Sequence, residues 1–448
     1  MSRFLLPWFD ASIAIPRAWP PARVDCAMDA LIAVRARDRN GHLLHTIAAV
    51  IFVYAGALNQ APNGIATAGL LAMALARLLV FPALFAPLLR WPPLWLGLAW
   101  VAWSALSVTW SPAGPSALRW LASDRLLLTT LALWPVLDRA RLLAWTLVLA
   151  ATTNAVTQCM QSQGIVLSPR DGSWRAAGLA HVPAVAAIWS GGALLMIMGL
   201  WCDAGKITRA VLGVMAMLCA AGVMLAASRG PALMLVPAII VAVAMLLMRG
   251  LLSRQTLMTA CIALLLPTAL ALYFVGGPFW RYLMGALHSP DQPAALSVGI
   301  RWFWWQIALE QWAAHPWLGG GLGSFAPFLA AHDATREYAA QTHIPLAHLH
   351  HVHPHNTYIR ALTESGIVGL LLLLGLVASL LREGWRRSRT DPVATAAFAG
   401  MLYVFLATNT ECVELMNVAL THVVILAALC ALPRATGYSD MCSTTTRV

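Results

Sequence analysis

TYIRALTESGIVGLLLLLGLVASLL, residues 357–381, followed by REGWRR at 382–387, decides how the chain must be read. An apolar run of this length spans the hydrocarbon of a bilayer, which needs about 20 residues, and it ends on a cluster of arginines. Basic residues gather on the cytoplasmic side of a span. The start of the run, preceded by HVHPHN at 351–356, therefore faces the other side. Composition agrees over the whole chain. Of 448 residues, 60% are hydrophobic and only 10% charged, against about a quarter charged in a soluble domain. Lipid is the solvent of this protein.

Working outward from 357–381, further apolar stretches occur at about 43–58, 64–88, 93–110, 122–137, 141–161, 182–202, 209–227, 231–248, 256–276, 393–410 and 417–432. The sequence thus predicts an all-α, polytopic protein with about 12 transmembrane helices. Its parts are a cytoplasmic N-terminal segment 1–42, helices one to nine within 43–276, a large periplasmic loop 277–356, helices ten to twelve within 357–432, and a cytoplasmic tail 433–448. No cleavable signal is expected before the first span. With both termini inside, roughly two-thirds of the basic residues fall in cytoplasmic pieces. The net charge of +11 is explained in this way and does not call for nucleic acid. The remaining arginines, Arg77, Arg119, Arg125, Arg170, Arg175, Arg229, Arg281, Arg301, Arg336 and Arg360, lie within spans or in the outer half. A cation there is costly unless a polar partner or cavity receives it.

The eight cysteines are scattered without metal-binding or disulfide spacing and read as packing thiols. The loop 277–356 is far longer than an ordinary connection, and such loops are usually functional. Within it Ile300, Trp304, Ile307, Ala308 and Gln311 recur at helical spacing, with Trp302, Trp305 and Trp312 close by, which predicts a helix lying in the membrane interface. The glycines at 319–323 lack the Lys-Ser/Thr of a phosphate loop and read as a turn that folds the chain back.

Six of the 13 histidines fall between His343 and His355, immediately before the span. His355 and Asn356 sit at its mouth, where an imidazole is held at the water–lipid boundary and Asn356 can orient it or cap the helix. Three uses remain open on the residues alone: acid–base work, solvation at the surface, and metal binding by His350, His351, His353 and His355. Glu310, Glu411 and Glu414 are carboxylates that could act as base or orienter in place of a histidine. Arg360 and Glu364, spaced i,i+4, predict a local ion pair.

The order His355-Asn356, nine residues, Gly366, two residues, Gly369 resembles the His-containing signature of the bacterial O-antigen ligase superfamily, which also holds O-antigen polymerases and protein O-oligosaccharyltransferases. The resemblance extends to IRWFWWQIALEQWAAHPWLGGGLGSF (300–325), to AASRGPAL (226–233) and to WRAAGLAHVPAVAA (174–187). It implies a GT-C-like membrane glycosyltransferase of the bacterial inner membrane with a periplasmic active site. His355 would be catalytic, Arg229, Arg301 and Arg175 would bind the donor pyrophosphate, and His353 and Asn356 would support them. The implied partners are an undecaprenyl-pyrophosphate-linked glycan donor, a lipid A-core acceptor and membrane lipids, with no cofactor and no metal. The chemistry is consistent with this division: a base must take the hydroxyl proton and cations must stabilise the departing diphosphate, and an arginine fork suits phosphate. Inversion at the anomeric carbon is expected. A polymerase would share donor and base, differing in acceptor. A lipid or glycan transporter is the rival from another class, yet the repeated halves or matched broken helices such proteins favour are not found.

Overall fold

A computed structural model of the chain describes residues 38–124, 128–166, 175–253, 255, 293–349, 353–388, 391–412 and 417–431. The helices that carry the architecture are α1 (Arg39–Ala55), α2 (Gln60–Val80), α3 (Pro92–Ser107), α4 (Ala140–Ser162), α5 (Pro183–Cys202), α6 (Lys206–Ala226), α7 (Arg229–Met248), α8 (Pro293–Ala314), α9 (Phe325–Ala331), α10 (Asp333–Thr342), α11 (Thr357–Arg387), α12 (Pro392–Ala407) and α13 (Asn417–Ala431). No strand occurs among the described residues. The chain is an all-α membrane protein.

Six of its helical stretches are long and apolar enough to cross a bilayer: Gln60–Val80, Trp134–Ser162, Pro183–Cys202, Lys206–Ala226, Arg229–Met248 and Thr357–Arg387; Pro392–Ala407 and Val418–Ala431 are apolar but shorter. The twelve stretches read from sequence outnumber these. The stretch 256–276 lies outside the described residues, as do 277–292 of the long loop. Where the sequence suggests one run over 64–88, helix α2 stops at Val80 and the chain continues from Pro82 in short turns to Arg90. Prolines at 82 and 87 lack the amide hydrogen that a continuing helix would use. Likewise 122–137 is not one helix: Ala117–Asp124, Thr129–Ala132 and Trp134–Arg139 are separate pieces, the last with Pro135 in its first turn.

Helix α5 is the centre of the bundle, packed by α4, α6, α7, α12 and α13. Small residues let its neighbours approach closely, as membrane helix pairs require. A Cβ added to Gly199 would lie 2.5 Å from the carbonyl oxygen of Pro392, and one on Gly191 would lie 2.6 Å from the Tyr403 hydroxyl. The indole of Trp189 is fully buried and donates to the Val418 carbonyl at 2.9 Å.

Helix α11 is two helices joined at a break. Gly366 has φ 66° and ψ −170°, a conformation open to glycine, and neighbours take up backbone groups that the break releases. Ile367 N–H donates to Pro316 O at 2.9 Å, Gly320 N–H to Thr363 O and Gly321 N–H to Glu364 O, both at 2.9 Å, and the Trp103 indole N–H to Ser365 O at 3.0 Å. The glycine turn, with positive φ at Gly319, Gly321 and Gly323, is thus strapped across the break. A Cβ on Gly319 would meet the Glu364 carbonyl carbon at 2.5 Å, and one on Gly366 the Trp317 oxygen at 2.1 Å, so both close approaches need glycine. Arg360 Nε lies 2.9 Å from Glu364 Oε2, the pairing their spacing suggested.

Arg77, which sequence placed inside a span, is fully buried with Nη2 3.3 Å from the Asp38 carboxylate at the start of α1, and beside them His42 Nε2 stands 3.3 Å from Asp138. Removing one member of a buried ion pair leaves the other uncompensated, at about 3–5 kcal/mol, whereas removing both charges is far milder. Arg77→Met is therefore expected to lower the apparent unfolding midpoint in detergent strongly. Adding Asp38→Asn, which can still cap α1, should restore much of the loss. Equal midpoints for the single and double variants would show that the two groups do not act as a pair.

Candidate functional site

The segment between α12 and α13 brings the site together. Its carboxylate, Glu411, is shared: His355 Nδ1 lies 3.0 Å from Oε2 and Arg301 Nη2 lies 2.9 Å from Oε1. Side-chain exposures of 5% for Glu411, 17% for His355 and 31% for Arg301 order the three from the interior outward, with the carboxylate covered and the guanidinium reaching the open side. An ionised carboxylate only accepts. His355 Nδ1 must then carry its proton toward Glu411, which leaves the basic lone pair of a neutral imidazole on Nε2.

Each of these side chains is held by backbone docking. Asn356 caps α11, its side-chain oxygen accepting from Tyr358 N–H and Ile359 N–H at 3.0 Å, and its amide nitrogen donates to Asn409 O at 3.0 Å. Thr357 N–H donates to Thr408 O at 2.9 Å, and the Thr357 hydroxyl to Glu411 O at 3.2 Å. The mouth of α11 is therefore sutured to residues 408–411. His355, just before the cap, has φ 54°, a left-handed conformation uncommon outside glycine. The His355 N–H donates to His353 Nδ1 at 3.2 Å, so His353 supports the backbone of its neighbour, and the two rings meet edge to face at 4.5 Å.

From the other side, α8 provides Arg301 and a flat wall. The Trp304 ring stacks on the His355 imidazole at 5.3 Å with an interplanar angle of 17°. Trp304 Nε1 donates to Leu349 O at 2.9 Å and Trp305 Nε1 to Pro354 O at 2.8 Å, pinning the histidine segment to the helix. The stripe legible in the sequence faces inward: Trp304, Ile307, Ala308 and Gln311 are buried, and Phe303, Trp304, Ile307 and Ala308 form a small core with Phe325 and Leu329 of α9. Trp302, on another face, is exposed.

Arg229 and Arg175 approach along a third path. Arg229 opens α7 directly after Ala227, which has φ 48°, and Ser228. The next residue, Gly230, lies so close to Thr410 that a Cβ would stand 2.0 Å from its hydroxyl, so the start of α7 abuts the residue before Glu411. Arg175 Nε donates to Ala226 O at 3.2 Å, and Ala176 N–H to Leu225 O at 3.0 Å. This joins the chain at 175–176 to the end of α6, three residues ahead of Arg229. Of the other sequence candidates, Glu310 pairs with His332 at 3.0 Å and is exposed, away from the shared carboxylate. His350, His351, Glu414, Arg125, Arg170 and Arg281 lie outside the described residues. Glu411 was legible only as one of several carboxylates, for its partners stand 56 and 110 residues away in sequence.

Burial alone would raise the Glu411 carboxyl's pKa. The hydrogen bond from His355 and the charge of Arg301 outweigh it, and the group is held below the usual carboxylate range.

Residues 214–374 match the family model described as O-antigen ligase. The match takes in Arg229, Arg301, His353, His355 and Asn356, together with Gly366 and Gly369, and stops short of Arg175 and Glu411. No curated protein matches the chain. The resemblance read from the motifs is shown over this segment.

A carboxylate whose pKa is lowered on folding stabilises the fold above its unfolded value, and that contribution fades as pH falls through the lowered folded value. The midpoint difference between wild type and Glu411→Gln should accordingly stay constant through neutral pH. It should narrow only below the ordinary carboxyl value of about 4.5. A gap that closes already between pH 7 and 5 would contradict the lowered pKa.

Proposed function

We propose that the protein is an O-antigen ligase, a membrane glycosyltransferase that moves O-antigen polysaccharide from undecaprenyl pyrophosphate to a sugar hydroxyl of lipid A-core. The observation that carries this reading is the single buried carboxylate of Glu411 held between His355 Nδ1 and Arg301 Nη2, within a chain whose residues 214–374 resemble O-antigen ligases. A base and a cation fixed to one anchor are what attack on a pyrophosphate-activated sugar requires.

In this mechanism the acceptor hydroxyl lies at His355 Nε2. As its oxygen attacks the anomeric carbon, the hydroxyl proton passes to Nε2, and the imidazolium that forms is stabilised by Glu411. The bond from the anomeric carbon to the pyrophosphate oxygen breaks, and its electron pair leaves with undecaprenyl pyrophosphate. Arg301, Arg229 and Arg175 receive the negative charge that develops there. Arginine has five donors, so Arg301 can keep its contact with Glu411 and still grip phosphate. Attack from the face opposite the diphosphate inverts the anomeric carbon. No metal or cofactor takes part.

The arrangement belongs on the periplasmic side of the inner membrane. The arginines at 382–389 mark the inner end of α11, so its His355 end is outer, with both chain termini cytoplasmic. An even number of crossings satisfies this orientation, and the loop residues 293–349 would form the outer wall of the site.

The test is transfer in liposomes from undecaprenyl-pyrophosphate glycan to purified lipid A-core with chelator present. Wild type should form the ligated product, and His355→Ala should slow it by about 10²–10⁴, the usual worth of a positioned general base. Glu411→Gln, which keeps the shape and removes the charge, should lower kcat with little change in KM. Chains that lengthen on the lipid carrier instead would make the protein a polymerase. Undiminished activity in His355→Ala would end the assignment of the base.

A further inference from the structure

Three amides line one face of α4: Asn154, Gln158 and Gln161, spaced i, i+4 and i+7. Asn154 and Gln158 are fully buried. Apolar side chains would pack there without the cost of burying a polar group, so the amides are present for what they bond. All three bond to the backbone of one short segment, 176–180. Asn154 Oδ1 accepts from Leu179 N–H at 2.6 Å and from Ala180 N–H at 3.1 Å. Gln161 grips Gly178 twice, its Oε1 accepting from the N–H at 2.8 Å and its Nε2 donating to the carbonyl at 3.4 Å. Gln158 Nε2 donates to two carbonyls, Ala176 O and Gly222 O of α6, both at 3.0 Å.

Two glycines make room for this comb. Gly178 has φ 60°, and a Cβ on it would stand 2.4 Å from Asn154 Oδ1, while one on Gly222 would stand 2.7 Å from Gln158 Oε1. A polar side chain that glues membrane helices bonds from one helix to the next. Gln158 does so to α6 with one N–H, and uses the other on the residue directly after Arg175.

The consequence falls on two arginines. Arg175 immediately precedes the held segment, and its Nε donates at 3.2 Å to Ala226 O, one turn beyond Gly222 on α6. Three residues after Ala226, past the left-handed Ala227, Arg229 opens α7. Gln158 thus fixes the stem of Arg175 to the last turn of α6, from which Arg229 departs. One loosely held cation can find one phosphate. A diphosphate calls for two guanidinium groups at a set separation, because each fork is planar and directional. We propose that Gln158, with Asn154 and Gln161, is a positioning residue that sets Arg175 against Arg229 and so gives the site a preference for a diphosphate over a single phosphate. The proposal rests on the reading of Arg175 and Arg229 as ligands of the donor diphosphate.

Farnesyl pyrophosphate and farnesyl phosphate, which share a tail and differ by one phosphate, serve as probes of the full-length protein in detergent, with affinities from calorimetry. Wild type should prefer the diphosphate by about ten-fold or more, the worth of one charge-assisted hydrogen bond. Gln158→Leu should weaken binding of the diphosphate alone and so remove most of the preference, as Arg175→Ala should. Gln161→Leu, at the less buried end of the comb, should shift the preference the same way and decides the matter if Gln158→Leu does not fold. The double variant Gln158→Leu/Arg175→Ala should be no worse than Arg175→Ala, since a residue that acts through Arg175 then has nothing left to position. An amide that served packing alone would lower the unfolding midpoint and leave the preference intact. A folded Gln158→Leu or Gln161→Leu that keeps the full preference, or a loss that adds to that of Arg175→Ala, therefore overturns the positioning role, and a wild type without the preference does so too. A preference governed by Gln158 in a protein that transfers nothing would sustain this role while removing the ligase reading; transfer by wild type with a preference that ignores Gln158 would do the reverse.

Discussion

A backbone inside a membrane protein has no water to fall back on, so every amide released by a break in a helix must find a partner in the protein. The break at Gly366 creates that demand in the middle of α11, and the strap at 316–321 meets it, with the Trp103 indole taking the Ser365 carbonyl. Much else follows from this one fastening. It ties the loop 293–349 to the bundle, gives α8 its position over the mouth of α11, and thereby sets Trp304 on the imidazole of His355. The two glycines in the His-containing signature are thus structural partners of the histidine: Gly366 admits the Trp317 carbonyl, and Gly369 sits against Ser365 and Trp103.

Much of the site could be read from sequence because its determinants are local. Asn356 caps α11 since an amide oxygen one residue before a helix meets the first free N–H groups. Arg360 and Glu364 pair because i,i+4 residues share a helix face, and the stripe Trp304, Ile307, Ala308, Gln311 is buried because periodic apolar residues seek one interior. What local patterns cannot carry is partnership across the fold. Glu411 is one carboxylate among several until the docking of Thr357 on Thr408 brings it to His355. Arg77 finds Asp38 from a segment that composition assigns to a cytoplasmic tail. Helix lengths also escaped an apolar count, because hydropathy does not register where prolines such as Pro82 and Pro135 end a helix.

If the site transfers glycans as proposed, the shared carboxylate of Glu411 further constrains how charge can move in it. In the proposed mechanism the cycle starts from a neutral His355, an ionised Glu411 and a cationic Arg301, whose charges sum to zero, the state a largely covered cluster tolerates best. Proton transfer to His355 adds one positive charge beside the carboxylate, and at that moment two cations compete for a single anion. The competition is relieved if Arg301 turns part of its fork toward the departing diphosphate as that group gains negative charge. Base and leaving-group stabiliser would then respond in one step: Glu411 draws toward the imidazolium while Arg301, keeping one donor on Glu411, turns its remaining donors to phosphate. The exposures favour this direction of travel, since Arg301 is the most open of the three and Glu411 the most covered. A carboxylate bonded to the histidine alone would steady the imidazole but would leave the proton's arrival uncoupled from the departure of the diphosphate.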